Sequence, residues 1–531
     1  MPKYVFITGG VISGLGKGIT TASIGRLIKS AGYEVTALKI DPYLNCDAGT
    51  MNPIEHGEVF VLDDGGEIDL DLGNYERFLD RDLTHDHNLT TGTVYMQVIS
   101  KERRGEFLGH TVQIIPHITG QIKKHIKKIS SKAEITLIEM GGTVGDIESM
   151  PFLEAAREMK NEVGAENCLF VHTTYVPVLE SVGEQKTKPT QHSVKELRSL
   201  GIAPDVIVAR SQKPLNKETG KKVSQFCDVP PSSVISAPDL NNIYRMPLLF
   251  REQGLLKIVL DHFHLEKKGE DLKEWNEVCR SIDMRDNNVT LAIVGKYISL
   301  TDSYRSILEA LIHAGAYKNC RVNVSWIDAE ELERSTNPEG FFECADGVLV
   351  PGGFGSRGME GKITAIRMAR EKNLPFLGIC LGFQLTLVEI ARNMMGLKDA
   401  NSTEIDPETS APLITLLPEQ RGIKELGGTM RLGGCDIEIR ENTLVHDLYR
   451  KSRIRERHRH RYEFNPEYRE RVEKTGAVFS GYCENRAEIV ELPDKDYFIA
   501  SQFHPEYLSR PTRPAPLFLG LVSAMLRRHS P

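Results

Sequence analysis

Pro375-Phe376-Leu377-Gly378-Ile379-Cys380-Leu381-Gly382-Phe383-Gln384 is the stretch on which the reading of this chain turns. Pro375 to Ile379 is an apolar run of strand length, and helical spacing of apolar residues follows from Leu381 to Met394. The flanking glycines permit a tight strand-to-helix turn with Cys380 at its tip, the arrangement in which hydrolases present a nucleophilic serine. A thiol placed there lies at a helix N-terminus, where aligned N–H groups favour the thiolate. Far downstream, Tyr497 to Phe503 is another strand-like run, and it leads into His504-Pro505-Glu506. His504 is positioned to take the thiol proton and Glu506 to orient the imidazole. A lone cysteine after a strand is ordinarily a buried apolar residue. The elbow together with His-x-Glu favours a nucleophile instead.

Working outward, runs of strand length alternate with helical segments over the whole chain, the pattern of parallel sheets covered by helices. With 531 residues the chain exceeds one hydrophobic core. From about His264 to Asn288 it turns polar, with Glu266-Lys267-Lys268-Gly269-Glu270-Asp271 and Arg285-Asp286-Asn287-Asn288. The expected division is a first domain over 1–264, a linker over 265–288 holding a short amphipathic helix near Leu272 to Ile282, and a second domain over 289–531. A helical stretch is expected from Leu248 to Phe263, and a new strand from Val289. The fold class is α/β, with two doubly wound domains built on largely parallel sheets.

The net charge of −7 argues against general nucleic-acid binding. Nine cysteines without a C-x-x-C pair suit reduced thiols rather than a disulfide framework. Neither an N-terminal signal nor an apolar run of bilayer-spanning length is visible, so the expectation is a cytoplasmic enzyme that engages no membrane. The basic run Arg453 to Asn465 is short and lacks interleaved stacking aromatics, which argues against RNA.

The first segment opens with a strand, Tyr4 to Ile7, then Thr8-Gly9-Gly10-Val11-Ile12-Ser13-Gly14-Leu15-Gly16-Lys17-Gly18, then a helix from Ile19 to Ala31. Such a glycine-rich turn lets backbone N–H groups wrap a polyphosphate while Lys17 reaches its outer phosphates. It departs from the usual phosphate-loop pattern at two places. Val11 takes the first glycine position, and Gly18 replaces the Ser/Thr that would touch magnesium. Metal binding should then rely on carboxylates. Glu139 ends the apolar run Ile135 to Ile138, at the sheet edge where open α/β sheets bind ligands. Asp71 lies in the acidic stretch Asp63 to Asp71, which on composition alone reads as a solvated loop.

Pro351-Gly352-Gly353-Phe354-Gly355, Gly378 to Gln384 and Phe503 to Glu506 together resemble a class I glutamine amidotransferase. Asp41 to Asn45, Gly105 to Thr119, Gly141 to Ser149 and Lys186 to Ser193 resemble the CTP synthase family, and the two resemblances cover nearly the entire chain in that family's order. The first domain is then P-loop NTPase-like. The resemblance implies that Cys380, His504 and Glu506 release ammonia from glutamine through a glutamyl thioester. Backbone N–H groups of Gly353 and Leu381 would form the oxyanion hole, a contribution of about 3–4 kcal/mol per donor. Gly352, Gly353, Leu381, Gly382, Phe383, Gln384, Glu404 and Arg461 would bind glutamine, and the last two suit its ammonium and carboxylate ends. Gly14, Leu15, Gly16, Lys17, Gly18, Ile19, Asp71, Arg210, Asp239 and Leu240 match the family's ATP site. Asp71 and Glu139 match its magnesium ligands, and Lys17 and Lys39 its catalytic lysines.

Ser13, Asp146, Ile147, Glu148, Lys186, Thr187, Lys188, Pro189, Thr190, Gln191 and Lys222 match positions for UTP or the feedback inhibitor CTP. The reaction implied is phosphorylation of uracil O4 by ATP and displacement of phosphate by ammonia. Most free ammonia is protonated at neutral pH, so a protected internal passage between sites is a further expectation. Gly427 to Gly433, with Thr429 and Arg431, matches the region of a GTP activator, although a glycine-rich turn explains that pattern equally well. A homotetramer and filament assembly are further expectations. Two alternatives stay open: another ATP-dependent amidotransferase such as a cobyrinic acid a,c-diamide synthase, and a polymer-forming protein without catalysis. The Lys186 to Gln191 loop argues against the first, and the intact Cys380, His504, Glu506, Lys17 and Glu139 against the second.

Overall fold

The computed structural model describes residues 1–51, 57–179, 183–296, 298, 301–416, 420 and 429–529. The chain forms two compact units. One comprises Met1–Asp47 with Asp71–Cys279, the other Ala48–Leu70 with Arg280–Pro531.

Seven strands of the first unit run parallel in the order Val234–Pro238, Val206–Ser211, Cys168–Tyr175, Lys3–Gly9, Ile135–Met140, Val35–Asp41 and Asn88–Thr90. The strands flanking Lys3–Gly9 are buried on both faces, as the continuous apolar runs require. Lys3–Gly9 lies between strands reached in opposite directions along the chain, so a crevice opens beyond its carboxyl end. Helix Lys17–Ser30 starts there and is buried along nearly its full length.

In the second unit the sheet order is Cys320–Asp328, Asn287–Gly295, Gly347–Val350, Phe376–Ile379, Phe498–Ser501, Arg486–Glu491, Val478–Cys483, Arg431–Ile439 and Arg453–His460. The first five strands are parallel, and the remaining ladders are antiparallel. The helices between the strands of that antiparallel half, Leu444–Tyr449 and Arg469–Glu473, are too short to read as parallel crossovers. The basic run is its edge strand. Arg455 pairs with Asp63, Arg459 with Glu67, and Arg457 donates to the Val61 carbonyl. All three partners sit on or beside the hairpin Val59–Val61/Glu67–Asp69.

The grouping differs from a division along the sequence in two respects. Residues Ala48–Leu70 group with the second unit although they fall inside 1–264. Charge complementarity with Arg455 and Arg459 accounts for it, since the acidic stretch meets the basic strand. Helix Lys273–Asp283 forms where the linker helix is expected, but its Trp275 is a core residue of the first unit. The indole packs on Phe78 and Tyr244, donates to the Tyr244 carbonyl, and lies 4.6 Å from the Arg26 guanidinium. The stretch Leu248 to Phe263 is broken into Met246–Glu252 and Leu255–His262 at Gly254, whose φ of 82° lies outside helical space.

Cys435 and Cys483 are joined by a disulfide, which corrects the expectation of reduced thiols throughout. They lie on paired strands but 48 residues apart in sequence, a spacing that carries no signal. Among the described residues no helix is long and apolar enough to cross a membrane.

Candidate active sites

In the second unit, strand register assembles the sulfur site. Phe376–Ile379 pairs in parallel with Phe498–Ser501, so both strands end at the same sheet edge, one leading to Cys380 and the other to Gln502 and His504. The Cys380 N–H donates to the Ser501 carbonyl at 2.7 Å. Cys380 holds φ 54° and ψ −97°, a strained conformation for a side-chain-bearing residue and the one an elbow needs. Helix Leu381–Asn393 starts directly after it. Gly382 is enclosed: a Cβ there would come within 2.2 Å of the Val350 carbonyl oxygen.

His504 Nδ1 lies 2.8 Å from Glu506 Oε1. Burial works to lower the imidazole pKa, but the Glu506 carboxylate and the Cys380 sulfur outweigh it and leave His504 raised to about 10. Gly352 fills the gap beside the pair. A Cβ on it would lie 3.0 Å from His504 Cε1, 3.6 Å from Cys380 Cβ and 3.8 Å from His504 Nε2. A cavity of about 230 Å³ is lined here by Gly352, Gly353, Cys380, His504 and Glu506, and on its other side by Glu58, Val59 and Tyr304. Tyr507 stacks on the His504 ring and donates to the Val59 carbonyl, which ties that wall to His504.

The other expected glutamine residues are more dispersed. Gln384 donates to the Tyr462 carbonyl at 2.8 Å, and Leu381 and Phe383 are buried. Glu404 accepts from the Gly355 N–H, while Arg461 donates to Gln420 and to Thr429. Neither Glu404 nor Arg461 lines the cavity around Cys380. Arg431 is bound at 2.7 Å by both Glu463 and Glu488, so its charge is engaged internally. Gly427 and Gly428 lie outside the described residues.

Sequence reasoning missed Lys296, Lys362 and Gln502. Lys296 donates to the carbonyls of Phe354 and Gly355 and so braces the glycine loop. Lys362 is 1% exposed, and burial followed by the nearby Lys296 charge lowers its pKa to about 7. Its ammonium would be 3.5 Å from a Cβ on Gly353. For Lys362, a charged residue amid the apolar spacing of helix Met359–Glu371 was the available signal. For Gln502, just beyond the end of strand Phe498–Ser501, no local pattern offered one.

In the first unit, charged groups crowd beyond the carboxyl ends of the strands. Lys17 donates to the Gly142 carbonyl at 2.8 Å. Burial lowers its pKa, opposed in part by Glu139. The Lys39 ammonium contacts the Asp71 carboxylate directly and lies 3.4 Å from Glu139 and 3.6 Å from Asp41. Glu139 is buried and accepts from Thr21 at 3.0 Å and from Tyr75, and desolvation raises its pKa. Gly18 explains its own departure from the phosphate-loop pattern. A Cβ there would fall 2.1 Å from Asp71 Oδ1, so the carboxylate occupies the space of the missing hydroxyl side chain. Val11 adopts φ 83°, the conformation of the glycine it replaces.

Gly14 and Gly16 have positive φ, and Leu15 and Ile19 carry the loop into the helix. Arg210 donates to Asp239 at 2.8 Å beside Gly16, and Leu240 follows in sequence. The 141–149 loop is tied to the phosphate loop by Val144 N–H donating to the Gly9 carbonyl, with Ser13, Asp146, Ile147 and Glu148 exposed. Lys186 pairs with Glu184, which also feels Lys222, and Lys188 lies 5.7 Å from the Phe226 ring. Thr187 accepts from Gln191, and Thr190 donates to the Tyr175 carbonyl, which fixes the loop around Pro189. Beneath both loops runs a buried chain, Thr8 to His172 at 2.9 Å and His172 to Ser193 at 2.7 Å. Burial lowers His172 to about 3, so the imidazole there is neutral.

Among the described residues, no group of three or more His, Cys, Asp or Glu side chains could hold a metal ion by itself. Asp71 and Glu139 already share the Lys39 ammonium, so a cation sits against both carboxylates. Two hard oxygen donors, completed by nucleotide phosphates, fit Mg²⁺.

Residues 3–265 match the family described as CTP synthase N-terminus, and residues 299–524 match glutamine amidotransferase class-I. A CTP synthase from Pyrococcus furiosus is 60% identical over 527 residues, covering 99% of this chain and 98% of the relative. Those of Thermococcus gammatolerans and Methanosarcina acetivorans are 58% and 57% identical, each covering 99% of this chain and 99% and 98% of the relative. A solved structure of the Trypanosoma brucei CTPS glutaminase domain with bound acivicin shares 36% identity, with a TM-score of 0.42, covering 45% of this chain and 94% of that one.

Proposed function

The chain belongs to the CTP synthase family, a glutamine-hydrolysing C–N ligase with UTP, ATP and glutamine as substrates, and we propose that its two units divide that reaction between them. In the second unit Cys380 attacks the glutamine side-chain amide. His504 takes the thiol proton and delivers it to the departing ammonia, and Glu506 holds the imidazole. The Gly353 and Leu381 N–H groups stabilise the oxyanion. Water then releases glutamate.

In the first unit Lys17 and Lys39 offset charge on the phosphoryl group as it passes from ATP to uracil O4. Ammonia displaces phosphate and leaves CTP. Asp71 and Glu139 would hold Mg²⁺, which supplies further charge compensation for the phosphates when bound. Arg210, Asp239 and Leu240 serve ATP, whereas Ser13, the Asp146 to Glu148 turn and the Lys186 to Gln191 loop with Lys222 serve UTP and the inhibitor CTP. Gln384, Glu404 and Arg461 position glutamine. Activation by GTP, a homotetramer, filament assembly and a cytoplasmic location belong to the same proposal and rest on the resemblance.

One observation carries this reading: Cys380 and an imidazole already bound to Glu506 both border Gly352, where a Cβ would meet His504 Cε1 at 3.0 Å and Cys380 Cβ at 3.6 Å. The test is a spectrophotometric assay of UTP conversion with ATP, Mg²⁺ and either glutamine or an ammonium salt. CTP should form with both nitrogen donors. Untouched UTP under each of them would overturn the proposal.

A further inference from the structure

The geometry points to Gln502 as the hydrogen-bond donor that holds the Cys380 sulfur in its ionised form, an inference that rests on Cys380 being the nucleophile. Gln502 is buried, and its Nε2 lies 3.7 Å from Cys380 Sγ. The orientation of its amide follows from its neighbours. The Tyr462 carbonyl can only accept, so the Gln384 NH₂ must face it, at 2.8 Å. The second hydrogen of that NH₂ meets Gln502 at 3.2 Å, and Gln502 must therefore present its oxygen there. Its own NH₂ is left facing the sulfur.

The sulfur also has a partner of a different kind. The Arg459 carbonyl lies 3.6 Å from Sγ and can only accept. A neutral thiol therefore donates S–H to Arg459. Once the proton passes to His504, the sulfur can only accept, and the Gln502 N–H is the donor it keeps. The Gln502 N–H faces the sulfur in either state but binds the charged one more strongly, and the Gln384–Gln502 chain orients that donor. A direct donor to a charged sulfur favours the thiolate over the thiol. Gln384, expected to bind glutamine, thereby orients the group that readies the nucleophile.

The full-length chain tests this. Iodoacetamide alkylation of Cys380, followed by mass spectrometry, is measured against pH in wild type, Gln502→Glu and Gln502→Met. Without the donor, the midpoint of the alkylation profile should rise by about one pH unit, the size of one lost charge-assisted hydrogen bond. Gln502→Glu should move it further, because a carboxylate faces the sulfur. The kcat for glutamine hydrolysis should fall about 10–100-fold at neutral pH with KM little changed, and partial recovery at high pH is expected. Gln502→Met keeps the side-chain length and secures the reading if Gln502→Glu fails to fold, which its unfolding midpoint reports. Profiles coincident with wild type in a folded variant would overturn the inference alone. Glutamine hydrolysis surviving in Cys380→Ala would instead remove the nucleophile assignment, and this inference with it.

Discussion

The Cys380 site and the Lys39 site treat charge in opposite ways. Around Cys380, neighbouring strand ends fix every group: Cys380 N–H on Ser501, Gln502 on the sulfur, and His504 on Glu506. The site is poised before any substrate arrives, because sheet register alone delivers it. Around Lys39 the charges neutralise one another. One ammonium faces Asp41, Asp71 and Glu139, Lys17 rests on a carbonyl, and Arg210 is held by Asp239. On the proposed reading, polyphosphate and its metal would replace those pairings, so the first unit's site is expected to rearrange on loading while the sulfur site stays still.

The comparison breaks most sharply at the nucleophile. Cys380→Ala should lower glutamine-dependent CTP formation by at least about 10⁴-fold while ammonia-dependent formation persists. Parallel loss of both would show that the two sites are one functional element. Lys17→Ala should reduce synthesis about 10³-fold with either nitrogen donor, as expected for lost phosphoryl charge compensation. Ammonia-dependent turnover near wild type would remove Lys17 from the reaction.

Gly18→Ser sharpens the contrast, because it restores the usual phosphate-loop residue. The hydroxyl side chain must displace Asp71, so synthesis should drop about 10²-fold at fixed Mg²⁺ while glutamine hydrolysis is unaffected. An active variant with normal Mg²⁺ dependence would mean that Asp71 is no ligand.

The smallest expected effect is on stability. The pKa of His504 is raised to about 10 in the fold, above its ordinary 6.5. Its pairing with Glu506 therefore contributes in full below about pH 6.5 and is lost as pH climbs through about 10. The unfolding midpoint of wild type should fall over that window, and Glu506→Gln should flatten the fall. Identical curves would mean that the imidazolium is not held by Glu506.

What sequence reveals here follows from how local each feature is. The elbow was legible because one strand, one turn and one helix are contiguous, and a cysteine between glycines marks the tip. The glycine-rich turn between strand Lys3–Gly9 and helix Lys17–Ser30 was legible for the same reason. The structure added why Gly18 is glycine, through a contact with Asp71 that sequence distance conceals. The break at Gly254 was missed because apolar spacing continues across it. The hairpin near Asp63 and Glu67 was missed because its partners, Arg455 and Arg459, are 392 residues away and each run alone reads as a solvated charge cluster. Gln502 was missed because its role depends on two carbonyls and a second glutamine amide, none of which any local pattern encodes.

The migration of Ala48–Leu70 into the second unit bears on how the chain is made. Ribosomes deliver about 5–20 residues each second, so a segment whose partners follow 392 positions later waits roughly 20–80 s for them. Throughout that interval Phe60 and Val61, both buried in the finished protein, lack the Tyr507 ring and the Arg457 side chain that meet them there. The nascent polypeptide thus carries an unfinished, sticky loop through most of its synthesis. Shielding of that loop by chaperones, rather than the stability of either finished unit, is where the yield of active protein should be decided.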